Sequence, residues 1–288
     1  HRPEPASASQ AIVVDARPYP IEGIESLALE LVALHRMGWK RFVVINCRGH
    51  RFIGNGFGPA TSDVRIDVLG AAGDYLGSGN DGMTIHMHGN GQDQIAQIHK
   101  SGELVIHGDV GQCYGYGSKG GEMFVLGNAA GRPMINSVGG PRLVINGTAL
   151  DYLAESFMAG DPLNGGGFVI INGLKFGVDG SMSALETPYP GSNLFSLSSG
   201  GAIYVRDPHD RLSASQLNGG EFTELTEADW EVIEPLLLRN EEHFDIPLER
   251  LLTVGGERRS PYNVYRKISP VKSKTLHAEA AWVGHHDD

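Results

Sequence analysis

The chain has 288 residues, 41% of them hydrophobic, which suffices for one or two globular domains with a sizeable core. Its formal net charge of −11 argues against a nucleic-acid or anionic-membrane surface, because such partners select clustered Lys and Arg. Two cysteines are too few for a disulfide framework or for an iron–sulfur cluster supplied by this chain alone. The low cysteine count favours a reduced, cytoplasmic setting. No apolar run reaches the roughly 18 residues that a membrane-spanning helix needs, so we expect no membrane-spanning segment and no membrane partner.

The first elements are predicted to be a strand and a helix that together occupy residues 11–41. The stretch AIVVDA (11–16) is typical of a strand. Apolar residues then recur on one face of a helix that ends at Gly38: Ile24, Leu27, Leu31 and Leu34. We expect this segment to cap the open end of a repeating structure that follows it.

Glycine is the most unusual feature of the composition, with 40 residues, about twice the ordinary frequency. Between residues 42 and 206, short apolar runs each predict a strand, and each run ends in a glycine. These glycines are Gly49, Gly70, Gly89, Gly108, Gly127, Gly147 and Gly173, with spacings of 21, 19, 19, 19, 20 and 26 residues. We expect the last six to be structural, and the regular spacing indicates a solenoid.

A second glycine pattern follows each strand, as in GDVGQCYGYGSKGG (108–121), and leads directly into the next strand. Glycine suits corners where the chain takes positive φ and where stacked backbones approach closely. One strand, one glycine corner and a second extended piece in about 19 residues are the unit of a parallel β-helix. The predicted fold is therefore an all-β solenoid over residues 42–206, with flanking helices.

The residues within each strand alternate between two faces. The residues that lie two and four positions before each strand-ending glycine are apolar, and they are predicted to face inward. The third position back faces outward, and it changes from Asp67 and His86 to an apolar stripe. The stripe comprises Val105, Phe124, Val144 and Ile170. Either a flanking helix of this chain or a partner subunit must cover it, so the four residues are candidates for a partner interface.

The remaining residues, 207–288, are predicted to form helices and an extended tail. Thr226 is a predicted N-cap with Asp229 as its capping-box partner, and the helix extends to about Phe244 with a kink or break at Pro235. A short helix follows at residues 248–252. The segment after residue 259 is expected to be extended, and either to dock on a partner or to be partly disordered. Upstream, residues 174–206 are expected to form a long loop and one more coil.

The glycine-rich loops do not predict a nucleotide site. A dinucleotide fingerprint or a P-loop opens a helix, whereas here each glycine cluster, GNGFG (54–58) included, leads into a strand. Cys113 lies in a corner, where neighbouring copies hold Tyr75, Gln94 and Pro133, and a packed thiol is favoured over a reactive one. We therefore expect neither a catalytic residue nor a bound cofactor in this chain.

Three histidines are the candidate metal ligands. His88 and His107 precede strand-ending glycines in adjacent coils and should stack, and His86 lies two residues away on the same face. The alternative is a ladder of outward-facing polar side chains without a metal. Asn146 and Asn172 occupy the same position in later coils and would continue this ladder. A set of carboxylates could resemble a lyase site but falls at different corners, which favours a solvated surface: Asp67, Asp74, Asp93 and Asp109.

Several stretches together resemble the GXGXG domain, the C-terminal right-handed β-helix of the large subunit of glutamate synthase. They include INCRGHRFIGNGF, GAAGDYLGSGNDGMTIHMHG and GELVIHGDVGQCYGYGSKGG. The resemblance covers about residues 11–206 and is nearest to stand-alone versions of the domain. Two features depart from it: GRPMINSVGG lacks one glycine of its turn, and the segment after Leu212 has no match in detail.

The resemblance implies a scaffold without catalytic residues. In glutamate synthase this domain holds a glutaminase module and a synthase module that carries FMN and iron–sulfur clusters, so partner subunits of both kinds are expected. A similar domain occurs in complexes of formylmethanofuran dehydrogenase and N-methylglutamate synthase, which makes such a complex the alternative. A third hypothesis is an independent β-helical enzyme that uses His86, His88 and His107.

Overall fold

A computed structural model describes residues 4–7 and 9–271. Its main sheet has eleven strands in the order β1-β2-β3-β4-β5-β6-β7-β8-β11-β15-β12. The first nine of these are β1 (Ala11–Asp15), β2 (Arg41–His50), β3 (Arg65–Ala72), β4 (Asp81–His88), β5 (Ser101–Ile106), β6 (Glu122–Val125), β7 (Arg142–Ile145), β8 (Phe168–Ile171) and β11 (Ala202–Arg206). They pair in parallel, one strand per coil, which confirms the predicted solenoid.

The other elements lie in a loop and at the C-terminal end. They are the hairpin strands β9 (Leu174–Phe176) and β10 (Met182–Ala184), β12 (Gly220–Thr223), the short hairpin β13 (Thr253–Val254) and β14 (Glu257–Arg258), β15 (Tyr265–Pro270), and the helices α1 (Leu27–Arg36), α2 (Glu227–Phe244) and α3 (Leu248–Leu252). The hairpin β9–β10 was not predicted. None of the helices in the described ranges is long and apolar enough to cross a membrane.

The register of the strands agrees with the predicted alignment for most coils. Ile66 pairs with Ile85, and Ile85 with Leu104, so identical positions recur every 19 residues. The first spacing is corrected, because Gly70 lies opposite Cys47 and not Gly49. The reason is irregular pairing after Val44, which shifts the register of β2.

All twelve predicted inward side chains lie in one hydrophobic cluster inside the solenoid. They are Ile66, Val68, Ile85, Met87, Leu104, Ile106, Met123, Val125, Leu143, Ile145, Val169 and Ile171. The apolar face of α1 joins the same cluster through Leu27 and Leu31, whereas Ile24, predicted on that face, is 90% exposed and precedes the helix.

The corner of each coil has an unusual backbone, with positive φ at alternate residues. In one coil the three residues are Cys113, Gly115 and Gly117, and in the next they are Arg132, Met134 and Asn136. The amides of Cys113 and Gly117 donate to carbonyls of the following coil, and the amide of Gly115 donates to Ile95 O in the preceding coil. The alternation therefore continues the inter-coil hydrogen bonds through the corner, even where glycine is replaced.

The strand-ending glycines are required because adjacent coils approach each other closely at these positions. A Cβ at Gly70 would lie 2.3 Å from the carbonyl oxygen of Cys47, and one at Gly89 would lie 2.2 Å from Gly70 O. An added Cβ at Gly108, Gly127 or Gly147 would likewise meet a side-chain oxygen of the preceding coil. In each case this oxygen belongs to the residue directly after the strand-ending glycine of that coil. The backbones of adjacent coils touch along this column.

Candidate functional site

The outward apolar stripe is buried by the C-terminal part of the same chain. Val105, Phe124 and Val144 are fully buried and share a second hydrophobic cluster with Ile170 and with α2. The residues that α2 contributes include Ile233, Leu236 and Leu237. Of the two covers predicted for the stripe, the structure shows the flanking helix of this chain, which corrects the candidacy of the stripe as a partner interface. We call the contact between α2 and the outer face of the coils the seam.

The N-terminal end of α2 is fixed by the predicted capping box. Thr226 and Asp229 exchange hydrogen bonds, and Asp229 also accepts one from the hydroxyl of Tyr204 at 2.7 Å. Lys267 Nζ lies 2.7 Å from the same carboxylate. Burial opposes ionisation, yet these contacts lower the pKa of Asp229, whose charge is thus paired inside the protein. Of the two alternatives predicted at Pro235, a kink or a break, the structure excludes the break, because buried side chains on either side hold one continuous helix against the coils.

The last strand corrects another expectation. The segment after residue 259 is extended in β15, as predicted, but this strand pairs antiparallel with both β11 and β12 inside the main sheet instead of docking on a partner. The sheet can accept it because β11 is the last parallel strand and leaves an unpaired edge. The rest of the predicted tail, residues 272–288, lies outside the described residues.

A buried ladder of amides crosses the middle of the seam. Asn146 and Asn240 donate to each other's side-chain oxygens at 2.7 and 2.9 Å. Asn172 donates to Asn146 at 2.8 Å, and the hydroxyl of Tyr265 donates to Asn172 at 2.8 Å. The predicted outward polar column is therefore buried here, where it binds α2 and β15 to the coils.

The three candidate histidines lie together at the open end of the seam. The rings of His88 and His107 stack with centroids 4.8 Å apart, as predicted for adjacent coils, and His86 lies 5.9 Å from His107. His243, near the end of α2, completes the group at 5.5 Å from His86. Sequence reasoning missed His243 because nothing in the repeat indicates where a helix outside it will lie.

Two carboxylates contact these rings. Oδ1 of Asp67 lies 3.2 Å from Nε2 of His88, and Oε2 of Glu103 lies 3.2 Å from Nε2 of His243. Both acids lie on the outward face of their strands, so the alternation of the repeat could have indicated them as neighbours of His86.

Each acid also has an arginine. Arg65 donates two hydrogen bonds to Asp67, and Arg239 donates one to Glu103. Burial favours the protonated form of Glu103, but contacts from His243 and His86 hold the pKa of this carboxyl far below its usual range. The site therefore presents ionised carboxylates to a group of imidazoles.

The surroundings of His107 keep its imidazole neutral. Burial, together with the neighbouring rings of His88 and His86, lowers the pKa of His107 to about 4, so it is neutral at physiological pH. Its Nε2 is buried without a hydrogen-bond partner, and its ring packs against Phe244. Among the described residues, two groups of side chains have potential ligand atoms within 4.8 Å of one another: Asp67–His86–His88 and His86–Glu103–His243. His107 belongs to neither group. The predicted set of three is thus replaced by two sets that share His86.

The remaining sequence candidates lie away from this site. Cys113 is half-buried in its corner column, and burial raises the pKa of its thiol. Its neighbour in the next coil is Arg132 and not Pro133, since the amide of Cys113 donates to Gly131 O and Arg132 shares its positive φ.

The acidic residues proposed for a solvated surface have structural partners. Asp74, Asp93 and Asp109 each accept a backbone N–H from the following coil, at 3.2, 2.8 and 2.7 Å. They cap successive coils and do not converge on one point, so the arrangement differs from that of a catalytic acid pair.

The fold and the seam together define a parallel β-solenoid whose outer face is closed by a C-terminal helix and strand of the same chain. The family model described as the GXGXG motif matches residues 43–247, which include most of β2, all later coils and the whole of α2. The chain belongs to the GXGXG family. No curated protein matches it.

Proposed function

We propose that this chain is a non-catalytic scaffold subunit of a glutamate-synthase-like complex, an amidotransferase-linked oxidoreductase that contains flavin and iron–sulfur clusters. The observation that carries the proposal is the family match over residues 43–247, because this family is associated with the large subunit of glutamate synthase. The match extends beyond the glycine repeats into α2, so it supports a relationship over the closed domain and not over a glycine-rich repeat alone.

The architecture suits a rigid spacer. Inter-coil hydrogen bonds run through the strands and also through the positive-φ corners, for example from Gly115 N to Ile95 O at 2.8 Å. Two hydrophobic clusters, one inside the solenoid and one in the seam, hold the same sheet from both faces. Such a body can keep two catalytic modules at a fixed separation, which is the task of a scaffold between a glutaminase and a synthase.

The proposal assigns the chemistry to partner chains. An amidotransferase-like chain would release ammonia, and a second chain with FMN and iron–sulfur clusters would consume it. This chain would bind both.

Affinity purification of the tagged chain from its native cells, followed by mass spectrometry, tests this directly. We expect an amidotransferase-like chain and a flavin/iron–sulfur chain to co-purify, and the isolated chain to be colourless without glutaminase activity. Partners that belong to another oxidoreductase would contradict the glutamate-synthase assignment. Glutaminase or synthase turnover by the isolated chain would contradict the scaffold role itself.

A further inference from the structure

We propose that His86, Glu103 and His243 bind one divalent transition-metal ion, for which zinc is the best match. The site lies at the seam, between strands β4 and β5 and the last turn of α2. Two imidazoles and a carboxylate are a ligand set that zinc accepts, with a fourth position left for water. This inference goes beyond the scaffold role and does not depend on it.

The geometry of the three side chains is close to that of a binding site. One potential ligand atom from each lies within 4.8 Å of the others. Oε2 of Glu103 is 3.2 Å from Nε2 of His243, and Oε1 is 3.9 Å from Nε2 of His86. Ligand atoms around a tetrahedral zinc ion are about 3.3 Å apart, given bonds of about 2.0–2.1 Å. Small side-chain rotations would therefore close the set around an ion.

An unpartnered buried nitrogen points to a ligand at this place. The side chain of His243 is 9% exposed, and its Nε2 is buried without a hydrogen bond that meets normal geometry, although Glu103 is its neighbour. A buried polar atom left in this state costs free energy. A cation beside Glu103 would give this nitrogen a partner.

The competing set, Asp67–His86–His88, is less suited to retain an ion. The side chain of His88 is 40% exposed, and both oxygens of Asp67 already accept hydrogen bonds from Arg65. Arg239 contacts Glu103 in the seam set, but its side chain is 45% exposed and has a second partner in Glu242. Arg239 can therefore move away from Glu103 and keep its contact with Glu242 when a metal ion neutralises the carboxylate of Glu103.

A metal at this site would link parts of the chain that are far apart in sequence. His86 and Glu103 belong to adjacent coils, whereas His243 is at the end of the helix that closes the seam. An ion bound to all three stabilises the closed seam, because it binds the folded state and finds no preformed site in the unfolded chain.

The test uses the full chain without an affinity tag, in a background that carries His285→Gln and His286→Gln. These two histidines are adjacent in the sequence and are removed so that they cannot bind metal. After treatment with a chelator, zinc binding is measured by isothermal titration calorimetry, and cobalt is added separately to read the coordination from its visible absorption. Thermal unfolding with and without zinc gives a second readout.

We expect one equivalent of zinc per chain, a four-coordinate cobalt spectrum and a higher melting temperature with zinc. His243→Gln and His86→Gln should each weaken binding at least about tenfold and remove the thermal shift. His88→Gln is the matched control, since it removes a neighbouring imidazole from outside the set and should bind zinc as the background does.

The proposal is overturned if the background protein binds no stoichiometric zinc, or if both His243→Gln and His86→Gln bind as it does. Loss of binding in His88→Gln with retention in His243→Gln would also overturn it, because the site would then be Asp67–His86–His88. Circular dichroism of each variant confirms that it is folded before titration. Partner co-purification of the same variants is scored separately, so failure of the metal site and failure of the scaffold role are distinguishable.

Discussion

The interior of the solenoid and the apolar centre of the seam are both buried, but they are built in different ways. The interior repeats the same apolar positions coil after coil, so each side chain stacks on a similar one. The seam contains the apolar stripe, which includes Phe124, and several polar groups. These are the amide ladder around Asn146, the ion-paired Asp229 and the histidine group. A repeat can specify its own interior, whereas a seam needs a particular partner for every polar group.

A side chain added where adjacent coils approach most closely should reduce the free energy of unfolding more than any other change considered below. Gly70→Ala should cost roughly 2–6 kcal/mol, because Gly70 has a φ of 125° and its Cβ would meet the backbone of Cys47 at 2.3 Å. Gly58→Ala is the control, since Gly58 also has positive φ but an added Cβ meets nothing within 4 Å. It should cost about 1–2 kcal/mol. Urea denaturation measures both, and equal losses would contradict the close packing of coils.

The seam should matter to stability as much as the interior does. Phe124→Ala should cost about 3–5 kcal/mol, because it removes a fully buried ring beneath α2. Leu238→Ala, on the same helix but 46% exposed, should cost much less. Urea denaturation again gives the values. If Phe124→Ala were no more costly than Leu238→Ala, α2 would not be packed on the stripe.

Acid should weaken the interior through His99. Burial lowers the pKa of His99 to about 4, from an ordinary value near 6.5. As the pH falls below about 6.5, His99 binds a proton in the unfolded chain but not in the folded chain. The free energy of unfolding therefore declines by about 3 kcal/mol by pH 4. His99→Asn should flatten this part of the profile of unfolding free energy against pH. An unchanged slope in the variant would contradict a buried neutral imidazole.

The amide ladder should give the smallest effect of the series. Asn146→Ala should cost about 1–3 kcal/mol, because it leaves Asn240 and Asn172 without their side-chain partner. Asn240→Ala should cost a similar amount. The double variant should cost less than the two single losses together, which a double-mutant cycle measures. Strict additivity would show that the two amides do not interact.

Much of the fold could be predicted from the repeat alone. The alternation within strands placed all twelve inward side chains, and the spacing of glycines placed Ile85 beside Ile66 and Leu104. The errors came where the repeat is irregular. The chain shifts register after Val44, and Arg132 occupies the corner position that was assigned to its neighbour. A pattern cannot fix a register that an extra residue changes locally.

Less of the site could be predicted, because one of its four histidines, His243, comes from outside the repeat. The stacking of His88 on His107 follows from their equal positions in adjacent coils. The approach of His243 depends on how α2 crosses the coils, and that is set by contacts such as those of Phe124 and Asn146. These contacts join residues about a hundred positions apart, and no local propensity encodes them.

Hydrogen exchange measured by mass spectrometry shows whether the chain closes its own seam without a partner. We expect the amides of α2 (Glu227–Phe244) and β15 (Tyr265–Pro270) to be protected to the same degree as those of β5, β6 and β7 in the isolated chain. Rapid and complete exchange of α2 and β15, while those three strands remain protected, would contradict it.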